Sequence, residues 1–432
     1  MRRLIYIFII GLLLCSYTWA DGSRYASKSL LSEGKWVKIR VDKTGIYKLS
    51  YADLKNMGFS DPSKVSVHGY GGWPLDEDFS KEYIDDVPST PVWRGSDYLL
   101  FYGKGPVKWE YDSSSQTFVH TNNPYSLYGY YFVTDATPTN DMTSVAQASG
   151  ATNRITTYDD YLVHEQELVS LAKSGRELYG EDFSGATPRT LSTFSSIPGI
   201  TNEDAKVTMS FVSKVTSGTG VASLSINQSN VLDVSIRSNR EEYVKALEGV
   251  STAVWKGEKS EKNSVVVSYN SASHNNVRLN YVRLHFKRTL QPYGAYTFFR
   301  SIASIGNVSR FVVQGANANT LVFDVTDAQR VRLMETELNG SELTFSIPAG
   351  TLREFVLVRT DQSFISPEVV GEVENQNLHA LEQKDMIIIA AKAFQTQAER
   401  LAEEHRATDG LTVEVVDPQS IYNEFSSGAP DA

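Results

Sequence analysis

The run Met386-Ile387-Ile388-Ile389-Ala390 constrains the fold of this 432-residue chain more than any other feature. It has strand length and is apolar on both faces. Such a strand needs cover on both sides, which is the habit of parallel sheets in α/β domains. Phe394, Ala398, Leu401, Ala402 and His405 follow at helical spacing, with Gln395, Glu399, Arg400, Glu403 and Glu404 opposite. Gly410 stands where a helix C′ residue is expected. Leu411 to Val416 reads as a second strand, and Pro418 opens a short helix through Ile421 and Phe425. The pattern is one β-α-β unit, which in a single sheet crosses over right-handed. Two parallel strands and a helix cannot bury both faces of a sheet, so the pattern predicts an α/β domain that continues past Ala432.

Everything before this unit reads as β. Trp36, Lys38 and Arg40 alternate with Val37, Ile39 and Val41, as in a half-buried strand. Gly45 to Leu49 returns after Asp42-Lys43-Thr44, which predicts a hairpin. Ser50-Tyr51-Ala52-Asp53 has capping-box form and starts a short helix that Gly58 ends. Val65 to Tyr70, Asp97 to Gly103, Val107 to Tyr111 and Tyr128 to Thr134 are further strands. The middle of the chain supplies nine more, at Val207–Val212, Val221–Ile226, Val231–Ile236, Ser264–Tyr269, Val277–Phe286, Arg310–Val313, Thr320–Val325, Glu342–Ile347 and Glu354–Val358. Short strands split by turns such as Asn339-Gly340 predict a β-sandwich. Alternation slips phase at Tyr281-Val282, which predicts a bulge or a strand that changes neighbours there. Ser363 to Gly371 reads as a connector. The expected fold class is mainly β, followed by the first β-α-β unit of a truncated α/β domain.

Arg2 and Arg3, the apolar run Leu4 to Leu14 and the small-x-small site Thr18-Trp19-Ala20 form a secretory signal peptide, cut after Ala20. The run is shorter than the roughly 18–20 residues of a membrane-spanning helix. Cys15 follows Leu14 and not the small residue of a lipobox. It is the single cysteine, so the exported chain holds itself by its core without disulfides. No cysteine nucleophile, thiolate metal site or redox pair is available after the signal. Net charge −10 and pI near 5.3, with no Lys/Arg run to hold phosphates, argue against a nucleic-acid partner.

The remaining constellations carry no catalytic assignment. His164-Glu165 begins a HExxH zinc motif, but Leu168 replaces the second ligand and the segment reads as a structural helix. Asp76-Glu77-Asp78 with Asp85-Asp86 could gather a calcium ion, yet lacks EF-hand spacing and reads as solvated loops. Gly218-Thr219-Gly220 and Gly103-Lys104-Gly105-Pro106 lack dinucleotide and Walker spacing and read as turns. The seven histidines are scattered and read as surface or satisfied core residues. Trp36, Trp73, Trp93 and Trp109 could form a carbohydrate-binding face, but aromatics are equally good strand and core residues. No cofactor is implied.

Two sets of motifs resemble a known family. Met386 to Ile389, Ala398-x-x-Leu401-Ala402, Gly410 and Ile421-Tyr422-Asn423-Glu424-Phe425-Ser426-Ser427-Gly428 resemble the opening of gingipain-type (C25) cysteine peptidases. Gly34 to Gly72, Asp97 to Tyr111, Asn122 to Thr134 and His164 to Phe183 are similar to the N-terminal region of type IX secretion system sortases, which are gingipain-related. Pattern and resemblance together divide the chain into a signal peptide at 1–20, a β-rich domain at 21–150, a β-sandwich-like region at 151–370, placed by its strands, and an incomplete peptidase domain at 384–432. The resemblance implies a surface cysteine endopeptidase that removes the C-terminal sorting domain from secreted cargo and joins the cargo to anionic lipopolysaccharide. An outer-membrane β-barrel would deliver that cargo at the cell surface of a Gram-negative bacterium. The catalytic His and Cys are expected beyond Ala432, so no site residue is assigned, and the fragment alone is expected to be inactive. A competing expectation is an exported, non-catalytic β-sandwich binding or adhesion module.

Overall fold

The computed structural model describes residues 25–431 apart from 79, 82, 172, 174–176 and 240–245; the signal-peptide residues lie outside this range. The chain is built mostly of β-strands, with three short α-helices among the described residues: α1 (Tyr51–Asn56), α2 (Gln395–Glu404) and α3 (Pro418–Phe425). No helix of the described residues is long and apolar enough to cross a membrane.

The nine expected middle strands all form; Thr219–Ile226 and Ser229–Arg237 alternate buried and open positions, whereas Ala205–Ser213, Glu342–Ala349 and Glu354–Arg359 are buried on both faces. Together with further strands they build a nine-stranded sheet and two four-stranded sheets. One half of the large sheet, around Val277–Thr289 and Ala205–Ser213, shares a core with the smaller sheet containing Thr219–Ile226; Phe211, Leu224, Val267 and Leu279 are fully buried there. The other half, around Tyr296–Arg300 and Glu354–Arg359, packs on the sheet containing Asn307–Val313 and Glu342–Ala349. Phe299, Phe311, Phe345 and Phe355 fill that core with mutual ring contacts of 4.9–6.2 Å. Of the two expectations at Tyr281-Val282 a bulge is found, centred just before it at Asn280 in the pairing with Ala205–Ser213. Ser210 pairs with Tyr281 and Phe211 with Leu279, so Asn280 is skipped and Leu279 and Val282 both face the core.

The N-terminal region stacks a five-stranded and a three-stranded sheet. The first has the order Glu368–Val373, Trp36–Val41, Gly129–Thr134, Ser66–Gly71, Ser89–Thr90; the second has Gly45–Ser50, Tyr98–Gly103, Val92–Arg94. Ile39, Val67, Leu99 and Phe101 fill the space between them. The opposite side of the three-stranded sheet, through Ile46 and Leu100, meets Phe323 and Val356 of the nine-stranded sheet. The capping box forms as read: Ser50 Oγ accepts from Asp53 N at 3.0 Å while Asp53 accepts from Ser50 N, and Gly58 has φ +93°.

Three expectations are corrected. Trp36–Val41 and Gly45–Ser50 do not form a hairpin, because the first strand spends both edges on Gly129–Thr134 and Glu368–Val373 while the second pairs with Tyr98–Gly103. The connector contains that strand Glu368–Val373. His164-Glu165 closes strand Thr157–Glu165 and is not helical; Thr157, Tyr158, Tyr161 and Val163 favour the extended chain along Val277–Thr289.

At the C-terminal end, Met386–Ile389 pairs in parallel with Val413–Val416, and α2 packs on the latter. Gly410 takes φ +69° after the last turn, as a C′ glycine should. Ile387, Ile389, Phe394 and Leu401 are each more than half exposed, so the apolar faces of this unit are only partly covered.

Candidate functional site at the junction of sheet and C-terminal unit

The resemblance placed its most specific residues at Ile421 to Gly428, and the structure sets this segment into the N-terminal region. Pro418 at the first turn of α3 suits helix entry, since its missing N–H costs no hydrogen bond there. The last turn then delivers Asn423 and Glu424 inward; Glu424 is fully buried. Lys38 Nζ, on strand Trp36–Val41, donates to Gly428 O at 2.7 Å and to Asn423 Oδ1 at 3.1 Å. Tyr70 N donates to Ser427 Oγ at 2.7 Å, Tyr83 Oη to Phe425 O at 2.6 Å, and Leu75 N to Asp431 Oδ2 at 3.1 Å. Gly428 has φ +90°, and a Cβ there would stand 2.8 Å from Lys38 Cε.

Glu424 organises the contact. Its Oε1 accepts from Gln376 Nε2 at 2.9 Å and Leu378 N at 2.8 Å; its Oε2 accepts from His379 N at 3.0 Å and His379 Nδ1 at 2.6 Å. His379 Nε2 reaches Asp85 Oδ1 at 2.8 Å, and the ring stacks on Phe425 at 4.5 Å. Burial opposes charge on His379, but the hydrogen bonds and charges of Asp85 and Glu424 outweigh it and raise its pKa above the ordinary value. Lys38 has no carboxylate partner among the described residues, lies over the rings of Tyr130 and Phe132, and burial lowers its pKa to about 7.

The acidic residues considered as cation ligands are spent separately. Asp76 accepts from Lys81 Nζ and Asp78 N, Asp85 serves His379, and Asp86 accepts from Ser29 Oγ and Leu30 N. No cluster of metal-ligating side chains occurs among the described residues. His164 Nε2 pairs with Glu181 at 2.6 Å, His120 with Glu165 at 2.8 Å and His285 with Asp159 at 3.1 Å, and the other histidines are partnered too.

The four tryptophans do not share a face. Trp36 is buried in the core, and Trp93 packs on Tyr98. Trp73 and Trp109 line a cleft of about 630 Å³ together with Tyr161, Tyr296, Arg300 and Glu354. Trp109 stacks on Tyr161 at 4.0 Å, Arg300 lies 4.4 Å over Tyr161, and Lys104 lies 4.5 Å over Trp73. These rings already have partners, as core and strand aromatics do. Lys104, which sequence reading passed over as part of a turn, is buried between Tyr70 and Trp73, and burial lowers its pKa to about 7.

Residues 379–432 match the model of Peptidase family C25. No curated protein matches. Among solved structures, dimeric latent PorU from Porphyromonas gingivalis is similar with a TM-score of 0.88 and 32% identity, over 94% of this chain and 39% of that one. The chain thus spans well under half the length of PorU. The insecticidal delta-endotoxin Cry8Ea1 from Bacillus thuringiensis reaches a TM-score of only 0.21 at 10% identity, over 51% of this chain and 41% of its own.

Proposed function

We infer that this PorU-like chain is the N-terminal part of a surface cysteine endopeptidase of the type IX secretion system. In this reading the whole protein removes the C-terminal sorting domain from secreted cargo and transfers the cargo to anionic lipopolysaccharide. One observation carries it: the likeness to PorU covers 94% of a chain whose residues 379–432 match family C25. The junction gives the β-rich region a role, because Lys38, Tyr70, Leu75 and Tyr83 grip α3 and its tail, Asp85 holds His379 beside Glu424, and together they present the start of the peptidase domain.

The chemistry would come from residues C-terminal to Ala432. Between Ser16 and Ala432 the chain has no cysteine to attack a scissile carbonyl. The test uses the whole protein and the 432-residue chain side by side, incubated with a cargo protein bearing a C-terminal sorting domain. The whole protein should cleave, and iodoacetamide should abolish the cleavage; the 432-residue chain should be inert. Thiol-dependent cleavage by the short chain, or none by the whole protein, would overturn the proposal.

A further inference from the structure

His379 occupies an environment that one protonation state satisfies. Its Nδ1 lies 2.6 Å from Glu424 Oε2 and its Nε2 lies 2.8 Å from Asp85 Oδ1. A neutral imidazole has one N–H and can donate to only one of these oxygens; the imidazolium donates to both. The carboxylates are poor candidates to supply the missing hydrogen. Glu424 already receives three other donors, from Gln376, Leu378 and His379 N, and Asp85 Oδ2 accepts from Ala26 N at 2.6 Å. Water reaches the site only at Asp85, whose side chain is 15% exposed, while those of His379 and Glu424 are 1% and 0% exposed.

These three residues come from distant parts of the chain. Asp85 lies in the segment before strand Ser89–Thr90, His379 in the turn Leu378–Ala380, and Glu424 on α3. We propose that Asp85, His379 and Glu424 form a proton-dependent latch that holds α3 and the residues after it against the N-terminal region. While His379 carries both protons, two carboxylates and one cation share the site. Loss of one proton leaves a ring lone pair facing a carboxylate and two negative charges without the cation between them. The latch then loosens. The inference rests on the geometry of this chain and is independent of the peptidase reading.

The other groups around the ring are accounted for. Asp86 adds a negative field from beside Asp85, although its own carboxylate accepts from Ser29 and Leu30. Tyr83 donates to Phe425 O, Tyr25 packs edge-on against Tyr83 and Phe425, and Gln376 is neutral. Lys38 is a nearby cation of the same junction, bonded to Asn423 and Gly428. Its titration has the opposite sign. Docking buries Lys38 and disfavours its charge, so its deprotonation strengthens docking as pH rises, whereas deprotonation of His379 weakens it.

The test is hydrogen exchange of the 432-residue chain between pH 5.5 and 9, read on peptides covering 418–431. Protection is taken relative to the unfolded chain at each pH. Lys38→Met serves as the background that removes the opposing titration. In that background, protection should fall by about tenfold for each unit by which docking raises the pKa of His379. Asp85→Asn, which keeps an acceptor but removes a charge, should move the midpoint to lower pH. Packing alone would leave the midpoint in place. ¹⁵N resonances of His379 in the unmodified chain give a second reading that no destabilised variant can obscure, with both ring nitrogens protonated at pH 7. A neutral ring at pH 6, a flat protection profile, or a midpoint unmoved by Asp85→Asn would each overturn the latch.

Discussion

Replacing Arg300 with methionine would test how the nine-stranded sheet is held where it meets the N-terminal region. The Arg300 side chain is 2% exposed, and its Nε donates to Glu354 Oε2 at 2.7 Å. One terminal nitrogen donates to Asp159 O at 3.2 Å and lies 3.6 Å from Asp160. Methionine keeps the apolar stem over Tyr161 and removes every polar contact. Breaking a buried ion pair from one side costs about 3–5 kcal/mol, because the remaining charge is stranded. Two features favour the lower end. Glu354 is 32% exposed and can recover some water, and Asp160 keeps Arg288 at 2.8 Å. The expected loss is therefore about 3 kcal/mol. Urea unfolding followed by tryptophan emission would measure it, since Trp109 stacks on the same Tyr161. Arg300→Met combined with Glu354→Leu should cost less than the two single changes together, by about 2 kcal/mol, as residues in one network couple. A single variant within about 0.5 kcal/mol of the parent, or strict additivity, would refute the reasoning.

Other changes have equally defined outcomes. Phe345→Ala opens a cavity among Phe299, Phe311 and Phe355 and should cost about 3–5 kcal/mol in thermal unfolding; a loss below about 1 kcal/mol would mean the rings do not form the core of that sandwich. Gly129→Ala would place a Cβ 2.1 Å from Lys104 O and 2.7 Å from Gly72 N, both backbone atoms, and should cost about 1–3 kcal/mol by forcing the strands apart. Equal stability to the parent would contradict that close approach. Ser50→Ala removes the side-chain acceptor of the α1 capping box and should cost about 1 kcal/mol, measured by urea midpoint. For Lys38, the folded pKa of about 7 lies below the ordinary 10.5, so the unfolded chain binds the extra proton between these values. Its contribution to stability should rise with pH across that window, and the difference in urea midpoint from Lys38→Met should follow it.

The sequence made much of the sheet content legible, because strand periodicity and turn residues are local signals. The bulge at Tyr281 could be read from two apolar phases meeting, and the α1 cap from four consecutive residues. Strand Leu247–Trp255 escaped notice: Gly249, Ser251, Thr252 and Ala253 give no strong alternation, and the strand forms at a sheet edge by pairing with Ala205–Ser213. The supposed hairpin failed for a different reason. Nothing in Trp36–Val41 says that both of its edges are taken by strands from elsewhere in the chain. The junction was legible only as the motif Ile421 to Gly428. Asp85, His379 and Glu424 have no sequence spacing that brings them together, so their convergence could be seen only once the fold was known.

The pairing of Trp36–Val41 with Glu368–Val373 has a consequence for the order of events during synthesis. The inner edge of the early strand can be satisfied once Gly129–Thr134 emerges, but its outer edge must wait roughly 230 residues more. At about 5–20 residues per second, that is about 10–50 s of translation. Throughout this interval a strand with unpaired N–H and C=O groups is open to any neighbouring chain that can supply a strand. A factor that shields this edge, or a delay in folding until the chain is complete, would suit such a topology. The last β-strand before the C-terminal unit thus acts as a late seal on the first.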